Sequence, residues 1–169
     1  MQRKVRVIAP SSKDENSLNY LIKAKEILGK ENFLLNWSND IFAEAELPFF
    51  ASSKAFMVKD LINSFQSDDE RIIWVIRGGY GAANLLDEFS KTPPRKDKIF
   101  IGFSDATAIH LVLNQKFGMA SIHGPTLSNF IKNENSFAIF ENILLSDKVS
   151  YDLEQITNRD YQTINSCVN

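Results

Sequence analysis

Lys98-Ile99-Phe100-Ile101-Gly102-Phe103-Ser104-Asp105-Ala106 is the stretch that decides how this chain is read. A short apolar run, rich in β-branched and aromatic residues, stops at Gly102. Ser104 follows, and a helical pattern runs from Ala106 to Phe117. Strand, tight turn carrying a serine, then helix is the order that lifts a hydroxyl to the carboxyl edge of a sheet. Gly102 and Ala106 supply small flanks two residues to either side, with alanine in place of the second glycine of G-x-S-x-G. The amide of Asp105 would then point at a developing oxyanion. A serine or aspartate in such a turn also serves as a plain N-cap for the helix that follows, so the residues alone leave both roles open.

Outward from this turn, strand and helix patterns alternate. Val5–Ala9 reads as a strand closed by Pro10, and Ser12 with Glu15 has capping-box spacing. Leu18, Leu21, Ile22 and Leu28 continue as a helix, with Gly29 as its expected stop. Phe33–Trp37 is a second strand, and Asp40–Ser52, which holds Pro48, reads as a surface loop. Ala55, Val58, Leu61, Ile62 and Phe65 mark the next amphipathic helix. Ile72–Ile76 is the most strand-like run of all. It leads into Arg77-Gly78-Gly79-Tyr80-Gly81 and a helix with Ala82, Leu85, Leu86 and Phe89. Gly118 ends the helix after Ser104, and Ala120–His123 is a last strand closed by Gly124-Pro125. A helix is expected over Phe137–Leu145, and Lys148–Asn169 shows no period. Connections this long exclude hairpins. The pattern predicts an α/β fold: a flavodoxin-like three-layer domain with a mainly parallel sheet and helices on both faces.

A length of 169 residues suits one domain with a full core. A net charge of −2 gives no basic field for nucleic acid or anionic lipid. The single cysteine, Cys167, excludes an internal disulfide and Cys-x-x-Cys metal sites. The opening apolar run is too short for a signal-peptide core, and no segment approaches a membrane span. These features fit a cytoplasmic domain without metal or cofactor.

Ligands of open parallel sheets bind at the carboxyl ends of the strands. Gly78-Gly79-Tyr80-Gly81 lies at that edge, and its unshielded amides could cradle an anion or oxyanion. The spacing fits neither G-x-G-x-x-G nor a P-loop. A serine nucleophile needs a base, and the chain has two histidines. His110 is six residues along the helix from Ser104, which turns its ring away and suits helix packing. His123 ends the last strand at the correct edge. Arg77, beside the glycine loop, is a candidate seat for a carboxylate, with an ion pair to a neighbouring acid as its other reading.

Three motifs, in order and at close to family spacing, carry a resemblance: Arg77-Gly78-Gly79-Tyr80-Gly81-Ala82, Phe100 through His110, and His123-Gly124-Pro125. With Ile8-Ala9-Pro10-Ser11-Ser12 they resemble the N-terminal domain of the serine LD-carboxypeptidases (muramoyltetrapeptide carboxypeptidases), which include the microcin C self-immunity peptidases. The resemblance covers about residues 5–145. It implies a two-domain enzyme with a Ser-His-Glu triad, whose nucleophile is here Ser104. The oxyanion hole would use the amide of Asp105 and one from Gly78 or Gly79. Arg77, Tyr80 and His123 would face substrate. The substrate implied is murein tetrapeptide, cut at the bond between the L-centre of a diamino acid and the terminal D-alanine. The family's glutamate and histidine lie in a C-terminal domain, and neither His110 nor His123 matches that histidine. Residues 1–145 would then be the nucleophile domain and 146–169 a linker toward its own C-terminal domain, so that the chain alone is inactive. Exposure of the surface that domain covers would leave room for a homodimer. The competing expectation is a non-catalytic binding or assembly module for a small peptide carboxylate, and a weaker one is a flavodoxin-like nucleotide binder.

Overall fold

In the computed structural model, which describes residues 3–132, the five strands form one all-parallel sheet. They are β1 (Arg3–Ile8), β2 (Phe33–Asn36), β3 (Ile72–Val75), β4 (Ile99–Gly102) and β5 (Ile122–His123). Their spatial order, β2-β1-β3-β4-β5, is the flavodoxin-like one. In register, Val5 stands beside Leu35 and Ile72, Trp74 beside Ile101, and Gly102 beside His123. Each parallel crossover must pass over a face of the sheet. Accordingly α1 (Ser17–Lys30) packs with α5 (Leu127–Phe130), while α2 (Lys54–Gln66) packs with β1 and α3 (Leu86–Phe89). α4 (Thr107–Leu111) follows β4 and contacts the turn that opens α3.

Every residue of β3 is buried, as a central strand covered on both faces requires. Phe65 packs against both Phe89 and Phe100 in the core, its ring centroid 5.2 and 5.8 Å from theirs with the rings tilted. The fully buried Trp74 meets Phe130 edge-on, and its indole N–H donates to the Pro125 carbonyl at 2.9 Å. The amide of Ser128 donates to the Ile76 carbonyl at 2.9 Å, so α5 is pinned to the carboxyl end of β3.

Several local expectations change. Ser12 and Glu15 form no capping box: α1 starts at Ser17, and Asn16 at its N-cap makes no side-chain cap. Asp14 organises that entry instead, accepting from the Asn16 amide (3.0 Å) and the Ser17 hydroxyl (2.9 Å). Ser12 is drawn off by a bridge to Phe50 and by the glycine loop. Gly29 lies inside α1, and Asn32, at φ +62°, takes the left-handed position after the helix. The helix from Ala82 opens as a 3₁₀ turn, Ala82–Leu85, before α3. The one expected after Ser104 opens as a 3₁₀ turn over Ser104–Ala106 and widens into a π turn over Val112–Lys116. Gly118 ends it at φ +56°. The loop over 40–52 is not wholly at the surface, because Ile41, Phe50, Ala51 and Ser52 are buried. β5 is two residues, not four. The helix expected over Phe137–Leu145 and the boundary at 145 lie outside the described residues. Among those residues no helix is long and apolar enough to cross a membrane.

Candidate active site

The loops after β1, β3 and β4 leave the same edge of the sheet, at and beside the point where the strand order reverses. Ligands of this architecture bind at that edge. Ser104 sits on the third loop, exposed, at φ +62°. A non-glycine residue in this region costs about 1–2 kcal/mol and persists only when its surroundings hold it there. Two contacts explain how the turn fits. A side chain on Gly102 would come within 3.1 Å of both Ala106 Cβ and Val75 Cγ2, so the strand end must be bare where the helix folds back over it. A side chain on Gly78 would come 2.8 Å from Ser104 Cβ and 2.9 Å from its Oγ. The glycine loop therefore lies directly against the serine.

Three hydrogen-bonding side chains bind the loops together. One oxygen of Asp105, Oδ2, accepts from the Ser11 hydroxyl at 2.7 Å and from the Ala82 amide at 2.8 Å. The aspartate beside Ser104 is thereby bonded to the loop after β1 and to the residue that follows the glycines. Ser11 and Ala82 are both fully buried. Ser12 Oγ accepts from the Tyr80 amide at 3.0 Å and donates to the Tyr80 carbonyl at 3.2 Å. That holds Gly79 (φ +124°) and Gly81 (φ +140°) in conformations open to glycine. A Cβ on Gly79 would strike Ser12 Oγ at 2.6 Å.

A polar cavity of about 210 Å³ opens over Ser104, Gly78 and Gly79. Phe103, Asp14 and Tyr20 line it further, as do Arg77 and three α5-side residues, Ser128, Asn129 and Lys132. Arg77 forms an ion pair with Asp14, the second of the two readings its position allowed. Tyr80 is outside this lining: its ring packs against Phe49 and Phe50, with centroids 6.1 and 6.2 Å away. His123 lines an adjoining, more apolar hollow with Gly124 and Pro125, which shares Phe103 and Asn129 with the first cavity. Its Nε2 is 3.3 Å from Thr107 Oγ1.

His110 is buried at the back of the turn. Its Nε2 lies 2.8 Å from the Gly102 carbonyl and its Nδ1 2.6 Å from Ser121 Oγ. A carbonyl can only accept, so Nε2 carries the proton and Nδ1 of the neutral ring accepts from Ser121. Burial holds this imidazole below its ordinary pKa, against the bond to Gly102, which raises it. Among the described residues no side chain hydrogen-bonds to the Ser104 hydroxyl. The structure thus brings Ser104, Gly78, Gly79 and Arg77 to one cavity with Asp105 bonded beside them, and leaves Tyr80 and His123 outside its lining. Sequence reasoning missed Ser11, Asp14, Tyr20, Lys132 and the side-chain role of Asp105. Only the paired serines after β1 gave a usable signal, since they stand at the ligand edge.

Residues 5–124 match the LD-carboxypeptidase N-terminal domain of peptidase family S66. The chain belongs to the LD-carboxypeptidase family. All three loops fall inside the matched span. A putative carboxypeptidase of Rickettsia conorii is 35% identical over 148 residues, covering 86% of this chain and 45% of that protein. The murein tetrapeptide carboxypeptidase of Pseudomonas aeruginosa is 32% identical over 84 residues, 48% of this chain and 27% of that one. The chain thus spans less than half the length of these relatives. Among solved structures, an MccF-like protein from Bacillus anthracis superposes with a TM-score of 0.70 at 25% identity, over 87% of this chain and 46% of that one. Muramoyltetrapeptide carboxypeptidase from Oxalobacter formigenes shares the fold, with a TM-score of 0.68 at 22% identity over 85% and 48% of the two chains.

Proposed function

We propose that this chain is the nucleophile-bearing half of a serine carboxypeptidase. Its reaction would release the terminal D-alanine of murein tetrapeptide by cutting the bond to the preceding diamino acid. The observation that carries this is Ser104 in a left-handed turn with Gly78 close against its hydroxyl. Ser104 Oγ attacks the carbonyl carbon, and the oxyanion is stabilised by the Asp105 amide and one from Gly78 or Gly79. D-alanine leaves with a proton, and water hydrolyses the ester on Ser104. The base is supplied from outside residues 3–132, as the resemblance to the two-domain serine LD-carboxypeptidases implies. Both ring nitrogens of His110 are engaged elsewhere, and His123 bonds Thr107. A triad acts as a unit, so the chain alone turns over tetrapeptide more slowly than a complete enzyme by a factor on the order of thousands or more.

An activated aryl ester of the same acyl group tests this, because its leaving group needs no protonation. The expected result is at most one equivalent of phenolate released, slowly because Ser104 lacks its base, with the acyl mass found on the peptide containing Ser104. Ser104→Ala abolishes both. Absence of an adduct, combined with tetrapeptide binding that Ser104→Ala leaves unchanged, would favour the non-catalytic binding module. Turnover of tetrapeptide at a full enzyme's rate, lost in Ser104→Ala, would move the role of base to His123.

A further inference from the structure

The cavity over Ser104 contains two cations of unequal standing. Arg77 is already neutralised by Asp14, which lines the same cavity. A substrate carboxylate seated on Arg77 would meet Asp14 across the same guanidinium, and two like charges at one site repel. Lys132 is placed differently. It follows α5, whose start is fixed by the Ser128 amide bonded to the Ile76 carbonyl. Its ammonium lies 4.9 Å from the centre of the Tyr20 ring, which lines the same cavity. Among the described residues no carboxylate pairs with it. The aromatic face orients the amine without consuming its charge, so its N–H donors stay available for an anion. Asn129 beside it adds a neutral polar group to the same wall.

We propose that Lys132, oriented by Tyr20, is the residue that seats a carboxylate of the substrate in this cavity, in place of Arg77. Arg77 and Asp14 then act as a fixed pair in the wall. This rests on the peptide substrate proposed above and assigns its recognition. The carboxylate has two sources in such a peptide, the terminal D-residue and the acyl segment. A charge-assisted contact made by an exposed lysine is worth about two- to tenfold in affinity.

The test is titration calorimetry of the full chain at low salt with murein tetrapeptide and with its C-terminal amide. Lys132→Gln is expected to weaken tetrapeptide binding about two- to tenfold, Lys132→Arg to restore most of it, and Arg77→Gln to weaken it less. If the Lys132→Gln loss disappears with the amide, Lys132 reads the terminal carboxylate. An equal loss with both peptides assigns it to a carboxylate of the acyl segment. Unchanged binding in Lys132→Gln, with loss in Arg77→Gln, overturns the proposal and leaves the peptide reading intact. Failure of the unaltered chain to bind either peptide at millimolar concentration overturns the peptide reading and this one with it. Lys132 is exposed, so a folding defect in the variant is not at issue.

Discussion

Asp105→Ala removes the carboxylate that joins three loops, and its cost can be worked from two bonds. Oδ2 accepts from the Ser11 hydroxyl and the Ala82 amide, and both partners are fully buried. A buried donor left without a partner costs about 1–3 kcal/mol. The Ser11 hydroxyl can rotate toward the space vacated by the carboxylate, which lowers its share, whereas the Ala82 amide is fixed by the backbone. The lost bonds sum to about 2–4 kcal/mol, and relaxation of the strained Ser104 turn returns about 1–2 of it, so a net loss of about 1–2 kcal/mol is expected against the ~5–15 kcal/mol that holds a domain folded. With a urea slope near 2 kcal/mol per molar, the midpoint falls by about 0.5–1 M. Asp105→Asn keeps an oxygen in the accepting position and loses only the charge, so about 1 kcal/mol is expected. Urea unfolding followed by tryptophan fluorescence measures both, with the buried Trp74 as reporter. If Asp105→Ala stays within about 0.5 kcal/mol of the unaltered chain, the range of ordinary surface substitutions, the clamp is not a structural element. An Asn variant as damaging as Ala would mean that charge, not the pair of bonds, holds the loops.

Other positions give separate tests. Gly78→Ala forces a methyl to 2.8 Å from Ser104 Cβ and should cost about 1–3 kcal/mol, whereas Gly29→Ala, inside α1 with nothing within 4 Å, should stabilise by about 0.5–1 kcal/mol in the same unfolding assay. His110 is held below its ordinary pKa, so the unfolded chain binds the proton that the folded chain refuses. Its contribution is therefore complete above the unfolded value of 6.5 and is lost as pH falls from there toward the folded value, with a slope of at most about 1.4 kcal/mol per pH unit. Urea midpoints taken from pH 7.5 to 5 should show this dependence, and His110→Gln should flatten it.

The sheet was legible because each strand is a short apolar run followed by a turn signal and a helical period, a pattern compatible with few topologies. Ile72–Val75, buried on every residue, is the clearest case. Ser104 and its glycine loop were also legible, since a crowded turn demands small residues at fixed positions and the chain has them. What stayed hidden are bonds between loops. Ser12 looks like a cap by spacing, yet its hydroxyl is engaged with Tyr80, 68 residues away. Asp105 reads as a cap or an amide donor, while its side chain reaches Ser11, 94 residues back. Local spacing carries no information about such partners. Arg77 and Lys132 show the same gap: only the fold reveals that Asp14 has taken one cation and not the other.

The clamp and the strained turn also belong to one energy balance. Ser104 at φ +62° gives up about 1–2 kcal/mol, and the Asp105 bonds offset it with about 2–4, so the hydroxyl is presented before any substrate arrives. Ser104→Gly separates the two terms. It removes the strain but adds about 0.5–1 kcal/mol of unfolded-chain freedom, so a net gain of about 0.5–1 kcal/mol is expected in the unaltered background. In an Asp105→Ala background the turn is free to relax, the strain is already gone, and the same substitution should cost about 0.5–1 kcal/mol. The double-mutant cycle then shows a coupling of about 1–2 kcal/mol between the strained serine and the neighbouring aspartate that bonds to the other two loops. Equal effects of Ser104→Gly in both backgrounds would mean that the left-handed turn is set by Gly102 and Gly78 alone. The clamp would then serve the glycine loop, and the presentation of Ser104 would owe nothing to Asp105.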